Sequence, residues 1–441
     1  MGRKPLDVEK IVMGLIMSDD AALKKQLAKK ILDLAYKKGI YPSSIHDFYM
    51  ARGKGEFSGF TVPAINLRSM TYDLARAIFR VGKKNNAGAF IFEIAKSEMG
   101  YTAQPPLEYS SVILAAAIKE DYKGPVFIQG DHFQVNAKKF QENPEKELEG
   151  LQALITEAVA AGFYNIDIDS STVVDLTKPD VKKQQKWNYE VCAKLTQFIR
   201  RIEPRGVTVS VGGEIGEVGH QNSTPEDLRA FMSGYKERLR KGLVGISKIS
   251  IQTGTSHGGV VLPDGSIAQV KLDFETLKNL SEIARKEFGL AGAVQHGAST
   301  LPAEAFHKFP ECEAAEVHLA TEFQNMIYDS KHFPAELKAK IYDWLKVNAA
   351  NEKKEGETEE QFFYKTRKKA LGPFKKEIMG LPNSVRDAIT ADIEARFEFL
   401  FKQLNAVNNK DLIDKFVTLK RVISRKREEH EGVVHDGEGA D

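Results

Sequence analysis

Pro125-Val126-Phe127-Ile128-Gln129-Gly130-Asp131-His132-Phe133-Gln134-Val135-Asn136 decides how this chain is read. The apolar run Pro125–Ile128 predicts a short buried strand. A carboxylate and an imidazole, Asp131 and His132, then follow side by side at its carboxyl end. Downstream, His257 follows the strand-like Ile249-Ser250-Ile251-Gln252, and His296 follows Gly292-Ala293-Val294-Gln295. Three histidines at three strand ends point to metal-ligand chemistry on a parallel β/α scaffold. Imidazole is a common zinc donor, and a catalytic zinc takes three protein ligands and keeps one position open.

Working outward, short apolar runs fall near 61–66, 89–94, 126–130, 165–169, 207–213, 248–252, 292–295 and 315–319, with helical patterns between them. Eight strands with crossover helices predict a closed parallel (β/α)8 TIM barrel in an α/β chain. The alternative is an open doubly wound sheet, but no glycine-rich phosphate loop follows the first strand. The chemical residues fall at strand carboxyl ends, where barrel active sites lie.

Three domains follow. Residues 1–59 hold an N-terminal helical segment over 7–39, with Leu23, Leu27, Ile31 and Leu34 at helical spacing, and then a loop insertion over 41–59 carrying Pro42, Gly53, Gly55 and Gly59. Residues 60–330 form the barrel. Residues 331–441 form a C-terminal helical extension, with helices expected over 334–349, 357–370, 384–405 and 410–428 and a fraying charged tail. The stripe Phe397, Leu400, Phe401 and Leu404 reads as core packing.

The 441 residues carry 63 basic and 61 acidic side chains, a balance that favours neither nucleic acid nor an anionic membrane as partner. Cys192 and Cys312 are far apart and fit no metal spacing, so both are read as reduced, in a cytoplasmic protein. No apolar run is long enough to span a membrane, and the N-terminus leads into no signal-peptide core.

The order of motifs resembles class II, metal-dependent ketose-bisphosphate aldolases over about residues 60–330. The similar stretches are Val62-Pro63-Ala64-Ile65-Asn66, Gly130-Asp131-His132, Glu214-Ile215-Gly216-Glu217-Val218-Gly219, Gly254-Thr255-Ser256-His257-Gly258, His296-Gly297-Ala298-Ser299 and His318-Leu319-Ala320-Thr321-Glu322. The resemblance implies that His132, His257 and His296 hold Zn2+ or another divalent transition metal, with Glu214 as a fourth ligand or an outer support. It implies Asp131 as acid/base, and Asn66, Gly258, Gly297, Ser299, His318 and Thr321 around a sugar phosphate. Asp169, in a stretch similar to the family's post-strand "IDGS", would orient a ligand or touch a second cation, and a monovalent cation is a further candidate cofactor. A homo-oligomer, dimer or tetramer, is the expected assembly.

Three departures stand out. The loop after Gly219 reads His220-Gln221-Asn222-Ser223, where the family carries acidic residues. His220 is the expected catalytic substitute, with Glu217 and the pair Glu226-Asp227 as rivals. His318 stands where the family has asparagine, and Ala298 where it has a second glycine. The expectation is a divergent aldolase cleaving fructose 1,6-bisphosphate to dihydroxyacetone phosphate and glyceraldehyde 3-phosphate. Tagatose 1,6-bisphosphate is the rival substrate, and a non-catalytic aldolase-like partner subunit the rival class.

Overall fold

Short β-branched and apolar segments separated by amphipathic helices fold here as the patterning predicts. The structure, a computed structural model, describes residues 7–216, 221–254, 262 and 272–422. Its strands are β1 Ile40–Ser43, β2 Val62–Asn66, β3 Ile91–Ala95, β4 Gly124–Gln134, β5 Asn165–Asp169, β6 Ser210–Gly216, β7 Lys248–Ile251, β8 Ala293–Gln295 and β9 Glu316–Leu319. All pair in parallel, and β2 through β9 close on themselves through β2–β9. This is an eight-stranded (β/α)8 barrel with helices outside. No helix among the described residues is long and apolar enough to cross a membrane.

The stretch 41–59 differs from the expected loop. It holds most of β1 and the helix His46–Gly53. β1 lies along the first residues of β4, from Ile40 opposite Gly124 to Ser43 opposite Phe127. β5 takes over that edge from Gln129 onward. The Asn165 amide bridges the handover, donating to Ser43 O (3.2 Å) and Ile128 O (3.0 Å). The helix then plugs the amino-terminal end of the barrel. Arg52 is fully buried there and donates to Phe60 O, Ala291 O and Ala314 O, tying segments that lead into β2, β8 and β9. A four-residue strand containing a proline, followed by a helix of eight residues, lies below what hydrophobic period can resolve.

The extension packs against the barrel wall. Helix Asn383–Gln403 lies on helices Thr71–Lys84 and Thr321–Asp329. Phe397, Leu400, Phe401 and Leu404 are wholly buried, as the stripe predicts. Each such side chain contributes roughly 1.5–3 kcal/mol of burial. Leu404 O accepts from Thr61 N at 2.9 Å, and Asn409 Oδ1 accepts from Gly88 N and Ala89 N. Of the helix expected over 410–428, Lys410–Phe416 is helical and 417–422 is not, while 423–428 lie outside the described residues.

Strand β4 runs further than expected, through Asp131 and His132 to Gln134. Its register against β5 slips between Gly130 and Phe133, and His132 takes a left-handed φ of 39°. A bulge of this kind re-aims side chains that would otherwise alternate. It brings adjacent Asp131 and His132 into the same cleft. Gly130 is required beside it, because a Cβ there would collide with the Phe133 ring.

Candidate metal centre and active site

At the carboxyl ends of the strands lies a cleft of about 390 Å³. Every barrel strand or the turn after it contributes to its lining, including Asn66, Glu93, Asp131, His132, Asp169, Glu214, Ile251, His296 and His318. The site is therefore assembled by strand ends, and its precision comes from the sheet register.

Two imidazoles meet at its centre, with ring centroids of His132 and His296 4.2 Å apart. His132 Nε2 lies 3.9 Å, and His296 Nδ1 4.0 Å, from Asp131 Oδ1. The far side of each ring is held. His132 Nδ1 sits 3.2 Å from Asp169 Oδ2 and 3.3 Å from Glu214 Oε2. His296 Nε2 sits 3.0 Å from Ser250 Oγ. Metal-binding histidines are oriented in this way, through the nitrogen that does not face the ion. Asp131, His132 and His296 place their ligand atoms within 4.8 Å of one another, as do His132, Asp169 and Glu214. The donor set fits a divalent metal, with two imidazoles and a carboxylate converging and supporting groups behind them.

Electrostatics follow from burial and mixed charge. Burial raises the Asp131 carboxyl, but the charges of His132 and His318 outweigh it and hold it well below the usual range. Burial lowers His132, but Asp131 and Glu214 carry it well above an ordinary histidine. Burial and neighbouring Asp169 push Glu214 up to about 7. The cluster is acid-rich, and a cation there would offset its charge.

On one wall of the cleft, Ser299 Oγ accepts from Ala320 N at 2.7 Å, and Arg68 Nη1 lies 3.4 Å from Thr321 Oγ1. Gly297 lines the same wall. Asn66 is buried and donates to Glu98 Oε2 at 2.5 Å. Asp169 accepts from Ser171 and Gln134 as well as facing His132. Asp227 caps its own helix, accepting from Thr224 N and Oγ1. His220, Glu217, His257 and Gly258 lie outside the described residues.

His318, expected around the sugar phosphate, lines the cleft among carboxylates. Its Nδ1 lies 3.0 Å from Glu93 Oε2 and 3.2 Å from Asp131 Oδ1, and its Nε2 lies 2.7 Å from Glu316 Oε1. It sits on β9 itself and not on the turn beyond, and its ring lines the cleft against Asp131, with its centroid 4.0 Å from that of His296.

Sequence reasoning missed a charged layer under the site. Lys248 Nζ donates to Gln129 Oε1 (2.8 Å), Asp167 Oδ2 (2.9 Å) and Glu316 Oε1 (2.5 Å). Tyr49 donates to the other Glu316 oxygen. Gly212 makes room, since a Cβ there would collide with the Asp167 carboxylate. The signal was present as alternation: Phe92-Glu93-Ile94, Ile166-Asp167-Ile168, Lys248-Ile249-Ser250-Ile251 and Glu316-Val317-His318. In barrel strands the apolar partners face the helices, so the polar ones point inward.

Residues 53–379 match the family described as fructose-bisphosphate aldolase class-II, more than half of the chain, and the protein belongs to that family. Among solved structures, fructuronate-tagaturonate epimerase UxaE from Cohnella laeviribosi superposes with a TM-score of 0.56 at 11% identity, covering 79% of this chain and 82% of that one. A protein of Sinorhizobium meliloti 1021, described as a probable tagatose 6 phosphate kinase, gives 0.54 at 15% identity, covering 80% and 99%. These two likenesses speak for the fold alone. Fructose-bisphosphate aldolase from Campylobacter jejuni gives 0.48 at 19% identity, covering 82% and 94%. No curated protein matches the chain.

Proposed function

We propose that this protein is a metal-dependent aldolase that reversibly cleaves a ketose bisphosphate, fructose 1,6-bisphosphate by default, to dihydroxyacetone phosphate and glyceraldehyde 3-phosphate. The observation that carries the reading is the convergence of Asp131, His132 and His296 on one point at the carboxyl face of the barrel. His132 and His296, joined by His257 of the sequence motif, would hold the ion, with Asp169, Glu214 and Ser250 fixing the rings. A bound divalent cation, zinc as the first choice, supplies Lewis-acid stabilisation of the negative charge that carbon–carbon cleavage leaves beside a carbonyl.

The chain's own groups do the rest. Asp131, held anionic, accepts the proton of the hydroxyl beside the breaking bond and returns it in condensation. Gly297, Ser299 and Thr321 line the wall that would receive the ketose phosphate, and Arg68 adds a guanidinium suited to it. His318 lines the same cleft and stands against Asp131.

A panel of ketose phosphates, assayed with and without chelator, tests this. Cleavage of fructose 1,6-bisphosphate should vanish on chelation and return with zinc, cobalt or manganese. Preference for tagatose 1,6-bisphosphate would redirect the substrate. Cleavage that survives full chelation, with a borohydride-trapped lysine adduct, would sink the metal reading.

A further inference from the structure

Arg68 reaches the cleft from the turn Leu67–Met70, between β2 and the helix Thr71–Lys84. Its guanidinium is closely aimed. Nε donates to Glu98 Oε1 at 2.8 Å, Nη2 lies 2.6 Å from the same oxygen, and Nη1 turns towards Thr321. Burial disfavours the charge, and Glu98 more than restores it. The turn itself is strained, because Met70 takes a left-handed φ of 47°. A non-glycine residue keeps such a conformation only where its surroundings impose it.

Here one buried amide imposes it. Gln104 is 5% exposed and does not line the cleft. Its Nε2 donates to Leu67 O and Arg68 O, both at 3.2 Å. Its Oε1 accepts from Thr71 Oγ1 at 2.6 Å, and Thr71 Oγ1 also stands 3.2 Å from Leu67 O. One side chain thus holds the Arg68 turn at both ends. Gln104 is itself fixed. It precedes Pro105 and Pro106, which restrict the backbone there. It follows Ala103, a second left-handed residue with a φ of 53°.

Behind Gln104 stands the helical extension. Gly372 N donates to Tyr101 O at 2.9 Å, and a Cβ at Gly372 would collide with that oxygen. Lys375 Nζ donates to Ala103 O and to the buried Glu108 carboxylate. An unbroken path of contacts therefore runs from the extension, through the turn Tyr101–Gln104, to the backbone that carries Arg68.

We infer that Gln104 is a positioning residue for anion recognition in the cleft, and that Gly372 and Lys375 connect the helical extension to it. The inference rests on the reading of Arg68 as the guanidinium that meets a substrate phosphate. Without the Gln104 amide, two backbone carbonyls lose their donor and the left-handed Met70 loses its restraint. The guanidinium is then no longer held in place before the anion arrives, and binding must order it first. The extension in this way sets how firmly the site holds a phosphate, while touching neither the substrate nor Asp131.

Titration calorimetry with inorganic phosphate as probe tests this without turnover. Gln104→Met keeps the length of the side chain and removes the amide. It should weaken phosphate binding about tenfold, the scale of one buried hydrogen bond lost. It should raise KM for fructose 1,6-bisphosphate by a similar factor, with kcat changed less. Arg68→Met should weaken phosphate binding more. Adding Gln104→Met to Arg68→Met should cause no further loss, because Gln104 acts through Arg68. Gly372→Ala should weaken phosphate binding in the same non-additive way, and it decides if Gln104→Met does not fold. Lower thermal stability with unchanged phosphate affinity, additive losses in the double variant, or no phosphate binding by the wild type each overturns the inference. Phosphate binding that follows these expectations in a protein that cleaves no ketose phosphate would refute the activity and keep the positioning role.

Discussion

Lys248 on β7 and His318 on β9 are both buried nitrogen bases of the barrel interior, and their surroundings differ. Lys248 has three oxygen acceptors in good geometry, so its own charge is met by the protein, although Asp167 Oδ1 beside it has no partner among the described residues. Burial disfavours its charge, but Asp167 and Glu316 more than restore it. His318 has carboxylates on both sides, but its Nδ1 meets none of them as a donor should. Its imidazole is instead ringed by Glu93, Asp131 and Glu316, at 3.0, 3.2 and 2.7 Å. The contrast is between a cation whose donors all find acceptors and an imidazole that shares the same Glu316 oxygen but is crowded by further carboxylates at the cleft.

Four measurements bear on this contrast. The largest effect should come from Asp131→Ala, which should lower kcat by about 10²–10⁴-fold while circular dichroism stays native. An unchanged kcat would remove Asp131 from proton transfer. Next is Lys248→Met, which strands Asp167 and Glu316 without their cation. Breaking a buried pair costs about 3–5 kcal/mol, measurable by denaturant unfolding. Adding Asp167→Asn and Glu316→Gln to that variant should recover much of the loss. Wild-type stability in Lys248→Met alone would show that the lower layer is not held by its charges.

His46 supplies the third test, because it is buried by the same barrel at the other end. Burial, helped by the charge of Arg200, lowers it to about 4. That is below the unfolded value of about 6.5, so the unfolded chain binds the proton first. Its contribution is full above pH 6.5 and is lost as pH falls towards 4, by about 3 kcal/mol. His46→Gln should flatten that part of the stability profile, and an unaltered slope would assign the acid sensitivity elsewhere. The smallest effect should be Ser250→Ala, which frees the rear of His296 and should weaken metal binding about 10–100-fold. Unchanged metal affinity would mean that packing, and not Ser250, orients the ring.

The barrel was legible because its strands are short, apolar and regularly spaced, and the loss of β1 follows from its length and Pro42. Asp131, His132, Asp169, Glu214 and His296 were legible because motifs mark strand ends, where the fold puts chemistry. The neighbourhood of His318 was not. Its neighbours Glu93, Asp131 and Glu316 come from β3, β4 and β9, and strand register decides which carboxylates it meets. The Lys248 layer was hidden for another reason. Its members are each unremarkable polar residues in strands, and only closure of the sheet brings four strands' contributions together.

The bond from Thr61 N to Leu404 O has a bearing on how the chain is made. The first barrel strand begins at a contact whose other half is synthesised after every other strand. At about 5–20 residues per second, a ribosome needs on the order of tens of seconds to deliver it. During that time the start of β2 lacks its Leu404 partner, and Asn409 is likewise not yet there to meet Gly88 and Ala89. Nascent chains arrested before Leu404 should therefore expose β2 to protease, whereas chains released after Asn409 should resist, and equal resistance in both would show that β2 is protected without its late partners.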